Sequence, residues 1–343
     1  MSFEPHISIA GTMIGPGAPV YIIAEAGVSH FGDAGKAAAL VDMAAEAGAD
    51  AFKTQAYTTN ALIAPSLPEW RERLRAKEVS FAFIEKMKER CDRYGLTFMC
   101  TAHDLSVLPW LEELHVPAFK VGSGERGNIP FLRELAKYGK PMILSTGMYE
   151  EKHLLEAISA LSESGLGQLA LLHCVTSYPT PITQINLRAM DRMRELFNGP
   201  IGYSDHTSDH RAVFAAVARG AAIIEKHITL DFNIPNAQDW KVSCGPEDLT
   251  DFIKGVRDVE VMLGSRELTI QECEQPALNW ALKSLVAAKS LPAKTIIEPY
   301  HLNVMRPGSG LPPSMMEFVL GRRLKNSLHE GDPLQWDNLE EEP

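Results

Sequence analysis

The stretches IGYSDHTSDH (residues 201–210) and IIEKHITLD (223–231) are each a short apolar run that stops at a cluster of acids, hydroxyls and one histidine. Between them, HRAVFAAVARGA (210–221) carries apolar residues at helical spacing and closes on a glycine-containing turn. This strand, helix, strand unit decides the fold, because it recurs in the N-terminal direction. Upstream lie VYIIAEAG (20–27), DAFKTQ (50–55), TFMCTAHD (97–104), AFKVGSGE (118–125), PMILSTGM (141–148) and LALLHCV (169–175). Segments with apolar residues at i, i+3 and i+4 separate them, among them GKAAALVDMAAEAGA (35–49), FAFIEKMKERCDRYG (81–95) and EKHLLEAISALSESG (151–165). Eight such units in about 240 residues predict an α/β fold, a parallel (β/α)8 TIM barrel. A doubly wound open sheet is the competing arrangement. It brings fewer strands and a glycine-rich first turn, which EAGVSHFGD (25–33) is not.

Beyond Gly264 the pattern changes. SRELTIQECEQPALNWALKS (265–284) reads as a helical connector, and from about residue 284 short β-prone pieces are broken by Pro and Gly. AKTIIEPYHL (293–302) and EGDPLQWDNL (330–339) echo one another faintly. The expected domains are a barrel over 1–264, a linker over 265–283 and a small β-rich module over 284–343, too small to be generously stable alone.

Apolar residues make up 45% of the 343 and charged ones 22%, with a formal charge of −11. No apolar run approaches the roughly 20 residues a bilayer requires, and MSFEPHISIAG lacks a basic segment followed by an apolar core. The expectation is a cytoplasmic protein. The acidic balance disfavours nucleic acid and anionic membranes as partners. The five cysteines have no CxxC spacing and read as reduced, mostly buried thiols.

In a (β/α)8 barrel the chemistry sits where strands end, and here every run ends in polar residues. His206 and His227 close consecutive strands beside carboxylates, a placement suited to a divalent metal with coordination sites left open for water and substrate. A lone rim histidine satisfied by hydrogen bonds is the ordinary alternative. Lys53, Lys120, Thr101, Ser123, Ser145 and Ser204 offer the cations and hydroxyls that a phosphate monoester requires, although Ser and Thr also close strands simply by making turns. Two lysines buried in an acidic protein without an anionic partner would cost several kcal/mol. Glu25 and Glu125 are positioned either as general acid or base or as partners of Lys53 and Lys120. Cys174, inside an apolar run, reads as packing.

The blocks IAEAGVSHFGD, AFKTQ, KVGSGE, PMILSTGM, LLHCVTSYPTP, IGYSDHT, IIEKHITLD and RPGSGL, in this order, resemble the sialic acid synthases, including the legionaminic and pseudaminic acid synthases. The resemblance runs from about residue 20 to about 334. It implies a (β/α)8 barrel followed by an antifreeze-like (SAF) domain. The implied reaction condenses phosphoenolpyruvate with an open-chain N-acylated aldose, giving a 2-keto acid and phosphate. It further implies that His206 and His227 hold a divalent metal, usually manganese, with magnesium or cobalt as substitutes. By the same resemblance Lys53, Thr101, Lys120, Ser123, Ser145 and Ser204 bind phosphoenolpyruvate. Gln55, Glu125, Tyr178 and Asp239 match the sugar side, and Glu25 matches the acid/base residue. Arg306, in the Pro- and Gly-fixed loop NVMRPGSGLPP, matches an arginine that enters the partner protomer's site in a swapped homodimer.

The chain also departs from the family pattern. Ser29 and Phe31 replace asparagines, CTAHD (100–104) stands for STPFD, Trp240 stands for a histidine, and LKSL (282–285) replaces an arginine-containing segment. These departures leave the aldose open. A synthase acting on a phosphorylated sugar to give a shorter keto acid is the competing enzyme. The barrel motifs show no second Lys/Arg cluster for it. A non-catalytic carbohydrate- or ice-binding protein is the competing class.

Overall fold

Side chains alternate across a strand, so each barrel strand sends one set of residues inward and the other toward the helices. The computed structural model describes residues 3–234 and 237–340. A hairpin of β1 (Ile7–Ile9) and β2 (Thr12–Ile14) precedes eight parallel strands. These are β3 (Tyr21–Gly27), β4 (Ala51–Ala56), β5 (Thr97–Ala102), β6 (Phe119–Val121), β7 (Met142–Ser145), β8 (Leu169–Cys174), β9 (Ile201–Asp205) and β10 (Ile223–His227). Ladder pairing runs in the order β5-β4-β3-β10-β9-β8-β7-β6, with β5 and β6 packed side by side at the seam. This is the barrel that the eight runs predict.

Inside, Tyr21, Ile23, Ala51, Met99, Ala118, Ile143, Ala170, Leu172 and Ile223 form one apolar cluster. Ile7, Ile9 and Ile14 of the N-terminal hairpin belong to the same cluster and plug the barrel at the strands' N-terminal ends. The sequence reading did not anticipate that hairpin. Truncating one of these fully buried isoleucines to Ala would cost about 2–5 kcal/mol. The opposite faces of the strands, with Ile22, Phe52, Phe98, Phe119, Leu144, Leu171 and Tyr203, pack against the helices. The Phe81–Tyr94 helix shows how local signals set these elements. Ser80 caps its start by accepting from Phe83 N, and Gly95 ends it in the left-handed region at φ 68°.

Alternation also corrects one expectation. Asp205 and Lys226 stand among the polar strand ends, but each is one step out of phase with the inward set, and the pleat carries them to the helix side. There they form a buried ion pair of 2.6 Å, with Lys226 also donating to Thr207 O.

The chain divides into two compact units, Met1–Gly264 and Ser265–Pro343. In the second, the connector is only partly helical, over Glu272–Glu274 and Gln275–Trp280. Strands β11 (Ser284–Ala287) and β12 (Leu302–Met305) pair antiparallel over a core that includes Leu285, Leu302, Val319, Leu324 and Leu334. The two echoing segments fold alike, since Pro299–His301 and Trp336–Asn338 are both short 3-10 turns with reciprocal caps. No helix among the described residues is long and apolar enough to cross a membrane.

Candidate active site

At the C-terminal mouth of the barrel lies a cavity of about 380 Å³. Twelve of the fourteen residues singled out from sequence line it: Glu25, Lys53, Gln55, Thr101, Lys120, Ser123, Ser145, Tyr178, Ser204, His206, His227 and Asp239. Its floor is the polar layer directly above the apolar plug. Lys53 and Lys120 are 3% and 5% exposed, so their charges require partners at close range. Lys53 Nζ lies 2.5 Å from Glu25 Oε2 and 3.6 Å from Glu225 Oε2, and it donates to Thr101 Oγ1 at 3.3 Å. Lys120 Nζ donates to Ser145 Oγ at 2.8 Å and lies 3.5 Å from Glu225 Oε1. Ser204 Oγ donates to that same Glu225 oxygen at 2.8 Å.

The charges on the floor are therefore interlocked. Burial raises the Glu225 carboxyl, but Lys120 and Lys53 and the Ser204 hydrogen bond outweigh it and hold the group well below the usual carboxylate range. Burial pulls Lys53 down, and Glu225 and Glu25 more than restore it. Lys120 ends lower than an ordinary lysine, because burial and the Lys53 charge outweigh Glu225. The floor thus holds two cations against two carboxylates, and its serine and threonine hydroxyls lie between them.

Beside the floor stand the two histidines, ring centroids 5.5 Å apart. His206 Nδ1 lies 2.7 Å from Val175 O and so carries the proton, which leaves Nε2 as the lone-pair nitrogen accepting from Tyr178 OH at 3.0 Å. Burial, with His227 nearby, lowers His206 to about 4, so it is neutral at physiological pH. His227 is buried, and its Nδ1 has no hydrogen-bond partner among the described residues. Two imidazoles, one oriented by a backbone carbonyl and one with a nitrogen unsatisfied among the described residues, fit a divalent metal.

Toward the rim, Gln55 Nε2 donates to Glu25 Oε1 at 2.7 Å, and His103 Nε2 lies 3.2 Å from Gln55 Oε1. Gly147 donates its N–H to Ser123 Oγ at 2.9 Å, and a Cβ there would strike Thr176 Oγ1 and meet Ser123 Oγ at 2.7 Å. Only glycine permits that approach. Cys174 lines the cavity, but burial pushes its thiol up to about 11, so it is neutral and unsuited to attack.

Two expected residues lie elsewhere. Glu125 does not pair with Lys120. It sits in the Ser123–Glu125 turn, its carboxylate accepts from Asn128 Nδ2 at 2.6 Å, and it is absent from the cavity lining. Arg306 is in the second unit, where its Nε donates to Ala281 O at 3.0 Å and its guanidinium lies 5.7 Å from the Trp280 ring centre. Other residues join the site unannounced. Glu225 was legible as a polar strand end but carried no assigned role, although Ile223, Glu225 and His227 share one face. Arg73 and Lys77 line the cavity from outside the barrel motifs, Arg73 on the Pro68–Arg75 helix and Lys77 just beyond it. The departures from the family pattern converge here as well, since Ser29, Phe31, His103 and Trp240 all line the cavity.

Comparison with known proteins bears on this geometry. The NeuB family profile matches residues 40–268, and the SAF domain profile matches residues 283–340. The chain is 38% identical to an uncharacterised protein of Methanocaldococcus jannaschii, over 97% of this chain and 98% of that one. It is 34% identical to the N,N'-diacetyllegionaminic acid synthase of Legionella pneumophila, over 93% of this chain and 94% of that one. Among solved structures it resembles an N-acetylneuraminic acid synthetase from Leptospira borgpetersenii, determined in complex with citrate. That match has a TM-score of 0.74 and 33% identity, and it covers 81% of this chain and 96% of the other.

Proposed function

This chain belongs to the NeuB family, and we propose on that basis that it is a nonulosonic acid synthase. In this reading it condenses phosphoenolpyruvate with an open-chain N-acylated hexosamine and water, and it releases phosphate. The observation that carries the reading is the gathering of Lys53 with Thr101, Lys120 with Ser145, and Ser204 with Glu225 on one cavity floor, beside His206 and His227, the latter with a nitrogen unpartnered among the described residues. That inventory matches an enol phosphate on one side and an aldehyde on the other.

Lys53 and Lys120 neutralise the phosphate, while the neighbouring hydroxyls donate hydrogen bonds. His206 and His227 would hold the divalent metal, taken as manganese, whose chemistry when bound is Lewis-acid polarisation of the aldehyde. C3 of the enol phosphate forms a bond to the aldehyde carbon, leaving C2 electron-poor, and water adds at C2. The Glu25 carboxylate, held by Lys53 and Gln55, takes a proton from the adding water and passes it to the new sugar oxygen. The C2–O bond to phosphate then breaks as the C2 hydroxyl gives its proton to the departing phosphate, C2 becomes the ketone, and the lysines stabilise the anion. Gln55, Tyr178 and Asp239 orient the sugar.

A second reading of the sugar rests on Arg73 and Lys77. They give the rim the cations that the barrel motifs lack, so a hexosamine bearing a phosphate is a direct competitor of the neutral one. We further place the enzyme in the cytoplasm, where phosphoenolpyruvate is made, and assign it a homodimer in which the SAF domain is swapped and Arg306 reaches the partner's sugar. The deciding experiment measures phosphate release from phosphoenolpyruvate with manganese and a panel of neutral and phosphorylated hexosamines. Release that depends on one of these sugars supports the synthase, and no sugar-dependent release from any of them refutes it.

A further inference from the structure

On the helix-facing side of β10, a second group of ligand-bearing side chains comes together that the proposed reaction does not use. His210, Cys244 and Asp248 each present one donor atom, and the three atoms lie within 4.8 Å of one another. His210 precedes the Arg211–Ala218 helix, Asp248 precedes the Leu249–Leu263 helix, and Cys244 lies where the chain returns from the loop that carries Asp239. The Cys244 thiol is fully buried and makes no hydrogen bond among the described residues, and burial pushes it up to about 12, with Lys226 opposing. His210 Nδ1 is buried without a hydrogen-bond partner among the described residues, while Nε2 lies 3.5 Å from Asp248 Oδ2.

We propose that His210, Cys244 and Asp248 form a second, structural metal site that takes a borderline-soft divalent ion such as zinc, with solvent as fourth ligand. A thiolate, an imidazole and a carboxylate make a donor set suited to zinc rather than to magnesium or manganese. Zinc bonds of about 2.0–2.3 Å put neighbouring ligands roughly 3.3–3.8 Å apart in a tetrahedron. The His210–Asp248 spacing of 3.5 Å already meets this. Charge balances too. One thiolate and one carboxylate offset the ion, and nearby Lys226 is already matched by Asp205 at 2.6 Å. The thiol proton leaves to solvent as the metal binds.

The ordinary alternative is that Asp248 only braces its turn, and it does accept from Gly245 N at 2.6 Å. That contact uses Oδ1 and leaves Oδ2 beside His210. Side-chain exposures of 28% for His210 and 45% for Asp248 give an ion a way in. The ion's position gives it a task. Cys244 N donates to His227 O at 2.8 Å, and Thr229 N donates to Cys244 O at 2.9 Å. Metal at Cys244 therefore fastens both ends of the loop that brings Asp239 and Trp240 to the cavity.

The test is titration of the full-length chain with cobalt(II) and then zinc. A thiolate-to-cobalt charge-transfer band in the near ultraviolet is expected, displaced by one equivalent of zinc and absent in Cys244→Ser. His210→Gln should weaken zinc binding more than roughly tenfold, and zinc should raise the Tm of the wild type but not of Cys244→Ser. Should Cys244→Ser fail to fold, the partly exposed His210→Gln carries the test through its zinc affinity. Absence of the band in the wild type overturns the proposal, as does a band that survives Cys244→Ser, which would come from another cysteine such as Cys174 beside His206. The cobalt band reads metal binding and the phosphate-release assay reads turnover, so the two readings fail separately.

Discussion

Glu225 Oε1 lies 3.5 Å from Lys120 Nζ, so the anion that the lysine meets on the cavity floor is a carboxylate from the same strand as His227. A phosphate arriving there competes with Glu225 for Lys120 and Lys53. Glu225→Gln should therefore destabilise the free enzyme by about 3 kcal/mol, because two buried ammonium groups lose their shared counter-ion. Phosphoenolpyruvate should then raise the variant's Tm by more than it raises the wild type's. Thermal melts with and without phosphoenolpyruvate check this, and equal shifts would show that phosphate does not meet these lysines.

The histidine pair yields a prediction with a separate readout. Chelator should abolish turnover and added manganese should restore it. His206→Ala and His227→Ala should each lose two orders of magnitude or more, in line with about 3 kcal/mol of electrophile activation. Both side chains face a cavity rather than packed core, so melting should change little. A folded His206→Ala enzyme with full activity in chelator would contradict the assignment.

Much of this site was legible because strand ends announce themselves. His206, Lys53, Lys120 and Ser145 each follow an apolar run, and the run fixes where the chain turns polar. What the runs do not display is phase, and phase separates Glu225, which points in, from Asp205 and Lys226, which point out. The β1–β2 hairpin escaped notice for another reason. Its turn is Ala10-Gly11, both at positive φ (49° and 84°), where Asn-Gly or Asp-Gly would have been the recognisable signal. Arg73 and Lys77 reach the cavity through tertiary packing, so no local pattern marks them. Glu125 stands two residues beyond Ser123 in GSGE, and the direction in which the 3-10 turn sends its carboxylate, to Asn128, is not legible from that spacing.

Acid should weaken the fold through buried neutral histidines. His30 is fully buried and burial alone lowers it to about 4, while His103 is lowered to about 4 by burial and then by Lys53 and Lys120. A folded-state value below the unfolded 6.5 means that the unfolded chain takes up the proton first. Each such histidine therefore costs nothing above pH 6.5, and stability falls by about 1.4 kcal/mol per pH unit per group between 6.5 and 4. His30→Gln should flatten that slope by one group. Denaturant melts at pH 7, 6 and 5 measure it, and an unchanged slope in the variant would show that His30 is protonated in the fold.

Arg306 belongs to a loop in which Pro307 and Gly308 follow directly, and its guanidinium is set over Trp280 with Nε tied to Ala281 O. A fixed guanidinium on a partly exposed loop suits a role toward a ligand's carbonyl better than a role in the module's own core. If it serves the partner's active site, as proposed, each working site combines one chain's barrel with the other chain's SAF domain. Glu25→Ala and Arg306→Ala should then both be poorly active alone and regain activity when mixed under conditions that allow subunit exchange. In a random mixture of equal parts, roughly half the dimers are heterodimers, and each contains one site with both residues intact. Recovery should therefore approach about a quarter of the wild-type rate per site. Exchange is verified independently by mixing differently tagged chains. If exchange occurs and no activity returns, Arg306 acts within its own chain or outside any site, and the swapped arrangement fails.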